Sequence, residues 1–102
     1  MKVATREAYG KTLAALAKEN KNIIVLDADL SGSTKTKEVK AVAPEQHYNM
    51  GIAEGNMMAV AAGLAASGNI VFASSFAMFA TGRAFEQIRN SIGYPHLNVK
   101  VC

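Results

Sequence analysis

The chain has 102 residues, 50% of them hydrophobic, with 11 basic and 8 acidic side chains for a net charge of +3. A chain of that size and composition folds as one domain around its own core and is not disordered. The basic excess is mild, and the lysines are scattered without interleaved aromatic residues, which argues for a solvated surface and against a nucleic-acid partner.

In chain order, the polar start KVATRE has none of the apolar core of a signal peptide. Thr5 is placed to cap a helix, and Glu7 lies in the first turn, where the helix dipole favours an acid. Tyr9, Leu13 and Leu16 recur at i, i+4 and i+7, so an amphipathic helix is expected over Arg6 to Glu19. Lys21 and Asn22 break it. The run IIVLD, Ile23 to Asp27, reads as a strand buried on both faces. The loop ADLSGST follows, then a short lysine-rich helix that Pro44 ends. HYNM, from His47, reads as a second strand. Glu54 to Ser67 forms a helix closed by Gly68, in the position a left-handed cap wants. Its apolar stretch, 57–66, is far shorter than the ~20 residues of a membrane span, so no membrane association is expected. NIVFAS is a third strand, Phe76 to Ile92 a further helix closed by Gly93 and Pro95, and LNVKV a fourth strand. Cys102 is the lone cysteine, which leaves neither a disulfide framework nor a cysteine metal cluster and fits a reduced, cytoplasmic setting.

Strands alternating with helices imply an α/β fold, a parallel sheet with helices on both faces in three layers. Ligands in such sheets bind beyond the carboxyl ends of the strands. The loops DADLSGST, GIAEGN and SSFAMF fall there, and they hold most of the polar and aromatic irregularities of the chain.

Glu54 stands at the first turn of a helix whose other residues are nearly all Ala, Met, Val, Leu and Gly, the composition of a buried helix. Two readings of this acid stand side by side. It can answer the helix dipole. It can also be a carboxylate in an apolar pocket, where low dielectric strengthens a hydrogen bond to a ligand nitrogen. Phe76 and Phe79, three apart, share one helix face and can be core or a platform for a heteroaromatic ring. DADLSGST can cap a helix or offer hydroxyls and N–H groups to an anion, but it lacks GxGxxG and GxxxxGK[ST]. His47 and His96 have no Cys or acid at ligand spacing, so no metal site is expected, and no Ser-His-Asp arrangement is visible.

The segments ATREAYG, VLDADLSGSTKT, MGIAEGNMMAVAAGLAASG, FASSFAMFATGRAFEQIRNSIGYP and LNVKV, taken together and in order, resemble the pyrimidine-binding domain of the transketolase family. The nearest likeness is to the separately encoded C-terminal subunit of split transketolases, and it extends from Thr5 to Val101. The resemblance implies thiamine diphosphate as cofactor, with transfer of two-carbon ketol units between sugar phosphates. It implies that Glu54 hydrogen-bonds N1′ of the aminopyrimidine, favouring the imino tautomer that takes the C2 proton. It places Phe76 and Phe79 around the pyrimidine ring and Asp29 near the thiazolium. It assigns Arg6 and Ser33 to the phosphate of the substrate, a role that suits the bidentate fork of Arg.

The chain departs from the family pattern at three places. Gly55 follows the glutamate where a larger polar residue is commoner, Gly82 stands where some relatives place a third pocket aromatic, and SGS replaces a Pro-containing loop. The family domain continues past the fourth strand, and Mg²⁺ and the diphosphate are held by a different domain. A truncated piece, inactive alone, is therefore expected. It would work in a homo- or hetero-oligomer with a diphosphate-binding (N-terminal) transketolase subunit. A deoxyxylulose-phosphate synthase or a 2-oxoacid dehydrogenase subunit shares the cofactor class. A non-catalytic assembly module is the alternative of a different kind.

Overall fold

The apolar run Ile23–Asp27 has no polar face because it forms an inner strand of the sheet, covered by helices above and below. The computed structural model describes residues 4–29, 31–93 and 95–102, without the side chains of Ser31 and Ala77. The elements are α1 (Thr5–Glu19), β1 (Ile23–Asp27), α2 (Ser31–Thr34), α3 (Lys37–Val42), a 3₁₀ turn (Pro44–Gln46), β2 (His47–Asn49), α4 (Glu54–Ala66), β3 (Ile70–Ser74), α5 (Ala77–Arg83), α6 (Phe85–Gln87), a π-helical segment (Ile88–Gly93) and β4 (Val99–Val101). All neighbouring strands pair in parallel, in the order β2-β1-β3-β4. The α/β three-layer expectation holds.

Alternation along the two inner strands divides the core. Ile23 and Val25 pack with Leu13, Ala14, Ala17 and Val39 from α1 and α3, and with Ile70 and Phe72. Leu26, Val71 and Ala73 pack with Met57, Met58 and Ala61 of α4 on the opposite face. Met57 and Met58 are fully buried, which contributes roughly 1.5–3 kcal/mol each. Gln46 joins the 3₁₀ turn to the start of β1 by donating to the carbonyls of Asn20 and Ile23 at 3.0 and 2.9 Å.

Several expected details change. Thr5 is the first residue of α1 and not its cap: the cap position is Ala4, which has no side chain to accept the free N–H groups. ADLSGST is not wholly loop, because 31–34 make a helical turn. Helix α4 is not enclosed all round. Its inner face is covered by β3 and the π-helical segment, while Asn56, Ala59, Gly63 and Ala66 face outward. Gly68 does take the left-handed conformation, with φ +98°.

The expected continuous helix from Phe76 to Ile92 is interrupted at Ala84, whose φ and ψ are −129° and 13°, and ends in π geometry. The reason lies in the apolar spacing. Ala80, Ala84, Ile88 and Ile92 all reach the core at steps of four. In a straight α-helix each such step overshoots one turn by about 40°, so the last would point away. The break and the wider π turns remove that drift.

On the other face, Gly10 of α1 closely approaches Lys35, in the turn that leads into α3. A Cβ there would lie 2.6 Å from the carbonyl oxygen of Lys35, itself held at φ +67°. Gly63 meets nothing within 4 Å. Two like substitutions therefore have opposite signs. In urea titrations Gly10→Ala is expected to cost about 1–3 kcal/mol by forcing α1 and the Lys35 turn apart. Gly63→Ala is expected to add about 0.5–1 kcal/mol by restricting the unfolded chain.

Candidate functional site

The strand order reverses between β1 and β3: the chain runs from β1 outward to β2, then returns across β1 to β3. A crevice opens beyond their carboxyl ends, as at the switch point of other open parallel sheets. The loops after β1 and β3 and the start of α4 meet there.

The β1 end is anchored by buried polar contacts. The Asp27 carboxylate is fully buried, 2.6 Å from His47 Nε2, and accepts from Thr36 Oγ1 at 3.2 Å. This fixes β2 and the start of α3 against the end of β1. Asn49 then ties two loops together. Its Oδ1 accepts from the N–H groups of Asp29 and Gly51, both at 2.9 Å, and its Nδ2 donates to Asp29 Oδ1 at 3.3 Å. Both clamped residues have positive φ, +63° for Asp29 and +74° for Gly51.

Glu54 opens α4 and is only 3% exposed. Burial this deep is more than a dipole contact on a surface requires. Its Oε1 accepts from Arg83 Nη1 at 3.3 Å. The Arg83 guanidinium also lies 4.2 Å from the centre of the Phe79 ring, within cation–π range. The Phe76 and Phe79 rings stack, with centroids 5.9 Å apart and planes at 21°. Phe79 is half-buried and Phe76 exposed.

Two clefts of about 340 Å³ each result. One lies between Ala28, Asp29, Ile52, Glu54, Phe79 and Arg83. The other is lined by the hydroxyl-bearing residues Thr5, Tyr9, Ser33, Thr34, Ser74 and Ser75, together with Arg6, Phe76 and Cys102. The structure thus brings Asp29, Glu54 and Phe79 together, puts Arg6 and Ser33 in the second cleft, and sets Phe76 against Phe79. Among the described residues no group of three or more His, Cys, Asp or Glu side chains could hold a metal ion, and no helix is long and apolar enough to cross a membrane.

Sequence reasoning missed Arg83, Tyr9, Asn49 and the Asp27–His47 pair. Arg83 had a signal: it follows Phe79 by four, which puts both on one helix face. Tyr9 was assigned only to the apolar stripe of α1, yet its hydroxyl lies 2.6 Å from Ser74 Oγ, linking α1 to β3. Burial pushes its phenol pKa well above the ordinary value, opposed by the bond to Ser74.

Asn49→Ala is expected to cost about 0.5–1.5 kcal/mol and to speed amide exchange at Asp29 and Gly51, measurable by hydrogen–deuterium exchange. Tyr9 gives a pH test. Its folded-state pKa lies above its unfolded value of about 10, so its contribution is present below that pH and is lost as pH rises past it. The fall in urea stability between pH 9 and pH 11 is expected to be smaller in Tyr9→Phe than in the parent chain.

The chain can be set beside known proteins. The family profile for the transketolase pyrimidine binding domain matches residues 1–102. A transketolase C-terminal section of Methanocaldococcus jannaschii is 58% identical over 96 residues, 94% of this chain and 30% of that protein. Human transketolase is 41% identical, matching 99% of this chain and 16% of its own length. This chain thus spans less than a third of either. Among solved structures, a split-gene transketolase described as an inactive β4 tetramer is 63% identical, with a TM-score of 0.88, and covers 99% of this chain and 34% of its own. Transketolase from Campylobacter jejuni has a TM-score of 0.87 at 26% identity, over 97% of this chain and 16% of its own. The parallel sheet, its switch-point crevice and the match along the whole chain agree: this chain belongs to the transketolase family, as its pyrimidine-binding domain.

Proposed function

We propose that this chain supplies the aminopyrimidine-binding half of a thiamine diphosphate site, in a transketolase that moves two-carbon ketol units between sugar phosphates. The observation that carries this reading is the buried Glu54 carboxylate beside the Phe79 ring, at the switch point of the sheet. The residues present fit the pyrimidine half of the cofactor. A carboxylate that accepts at the edge of a flat cation already stacked on Phe79 has the chemistry to accept from a protonated ring nitrogen. Dependence on thiamine diphosphate follows from the family.

Thiamine diphosphate, when bound, supplies the electron sink for breaking the bond beside a ketose carbonyl. Glu54 holds a proton at N1′ of the pyrimidine, in surroundings that exclude water and strengthen the bond. Phe79, with Phe76 stacked against it, presents an apolar face to the ring. Asp29, fixed by Asn49, stands across the same cleft as an acid for the thiazolium side. Arg6 and Ser33, in the neighbouring cleft, are the residues that take the phosphate of the sugar.

The cofactor's diphosphate and Mg²⁺ fall to a partner, a diphosphate-binding subunit in a hetero-oligomer, and this chain alone is then inactive. The split-gene neighbour, described as an inactive β4 tetramer, supports that division. So do the exposed Ile52, Phe76 and Met78, apolar side chains beside the loops that frame the clefts.

The test combines this chain with a diphosphate-domain subunit and follows exchange of the cofactor's C2 proton for deuterium by NMR. Glu54→Gln is expected to slow exchange by roughly 10²–10⁴-fold, the range of a positioned acid–base group, with the cofactor still bound. An unchanged exchange rate overturns the assignment and favours a purely structural role for the domain.

A further inference from the structure

The Glu54–Phe79 cleft holds a contact that the proposed reaction does not use. Arg83 ends α5 and reaches back over Phe79, 4.2 Å from the ring centre, to donate to Glu54 at 3.3 Å. The two partners differ in exposure, 52% for the Arg83 side chain against 3% for Glu54.

A guanidinium is a flat, delocalised cation with N–H donors along its edge. A protonated or imino aminopyrimidine offers the same features, a flat face and a ring N–H at one edge. Arg83 therefore makes both of the contacts that such a ring would make here, one to the aromatic face and one to the carboxylate. It also answers a need of the free chain, since a buried carboxylate with no partner is strongly unfavourable.

We propose that Arg83 sets the affinity of this cleft by standing in for the pyrimidine: it occupies the Glu54–Phe79 pair in the free protein and swings out when the ring enters. The inference rests on the reading of Glu54 given above. The exposed face of Phe79 and the bonded Glu54 oxygen each serve one planar group at a time, so the two occupants compete. Release is easy. The bond to Glu54 is long, and the arginine is half in solvent. Ala84 leaves helical geometry immediately after Arg83, so the helix breaks between Arg83 and α6. Competition of this kind raises the apparent Kd by the inverse of the fraction of molecules in which the cleft is free.

The experiment uses the chain assembled with a diphosphate-domain subunit and measures the Kd of thiamine diphosphate with Mg²⁺ by calorimetry. Arg83→Met keeps the length of the stem and removes the planar cation. It is expected to tighten binding by roughly threefold to tenfold, while Glu54→Gln weakens it. Arg83→Lys, which keeps charge but not planarity, is expected to tighten it less, and it serves if the Met variant does not fold. In the parent protein the Arg83 Nε–H resonance is expected to shift toward its solvent-exposed position on cofactor addition. Weakening by Glu54→Gln with unchanged or weaker binding in Arg83→Met overturns the stand-in role and leaves the Glu54 reading intact. No effect of Glu54→Gln overturns both.

Discussion

To pass from β2 to β3 the chain must cross β1, and α4 is the segment that makes the crossing. Much else follows from that constraint. The N-terminus of α4 comes to lie over the carboxyl ends of the two central strands. Its first residue, Glu54, is carried into the crevice where Asp29 and Phe79 also project. Helix α4 must rest on β3, so Met57 and Met58 point inward and are sealed. A carboxylate one turn before two buried methionines is then itself buried. The acid is an outcome of the crossing, and the site is built where the fold has to reverse.

Much of this was legible in the sequence, for identifiable reasons. Strands β1 and β3 are short unbroken apolar runs, and inner parallel strands require such runs, so Ile23–Asp27 matched residue for residue. Gly68 marked the end of α4 because only a left-handed residue suits that cap. The loops after the strands were identifiable as the site because the alternation of elements fixes which loops share an end of the sheet. The illegible parts depend on tertiary geometry. The apolar steps of four from Ala80 to Ile92 look helical, and only the demand that all four reach one core turns the last of them into π turns. The bond between Tyr9 and Ser74 joins residues 65 positions apart, which no local pattern carries. Arg83 was visible only as a cation on the Phe79 side of the expected helix. Its partner lies on a different helix, and nothing in the local spacing names Glu54.

The polar interior of the switch point is arranged in pairs. Asp27 meets His47, Tyr9 meets Ser74, and Glu54 meets Arg83. The first two pairs lie at the carboxyl ends of β1 and β3 and hold neighbouring elements to them. Both are short, at 2.6 Å, and join segments distant in sequence, and they rigidify the floor of the crevice. The third has one partner half in water. The crevice thus has a floor held by two short pairs and, above it, a third pair whose arginine is half in solvent.

The outward face of α4, formed by Asn56, Ala59, Gly63 and Ala66, has a thermodynamic consequence of its own. Three of these four residues carry no rotatable side chain. A surface that packs against such a face gains contact with the helix backbone at short range, and the helix loses almost no side-chain entropy in return, where a lysine or glutamate would lose about 1.5–2 kcal/mol when immobilised. The same shortness means that little apolar area is on offer. Association through this face would be favoured by a low entropic cost more than by a large hydrophobic gain.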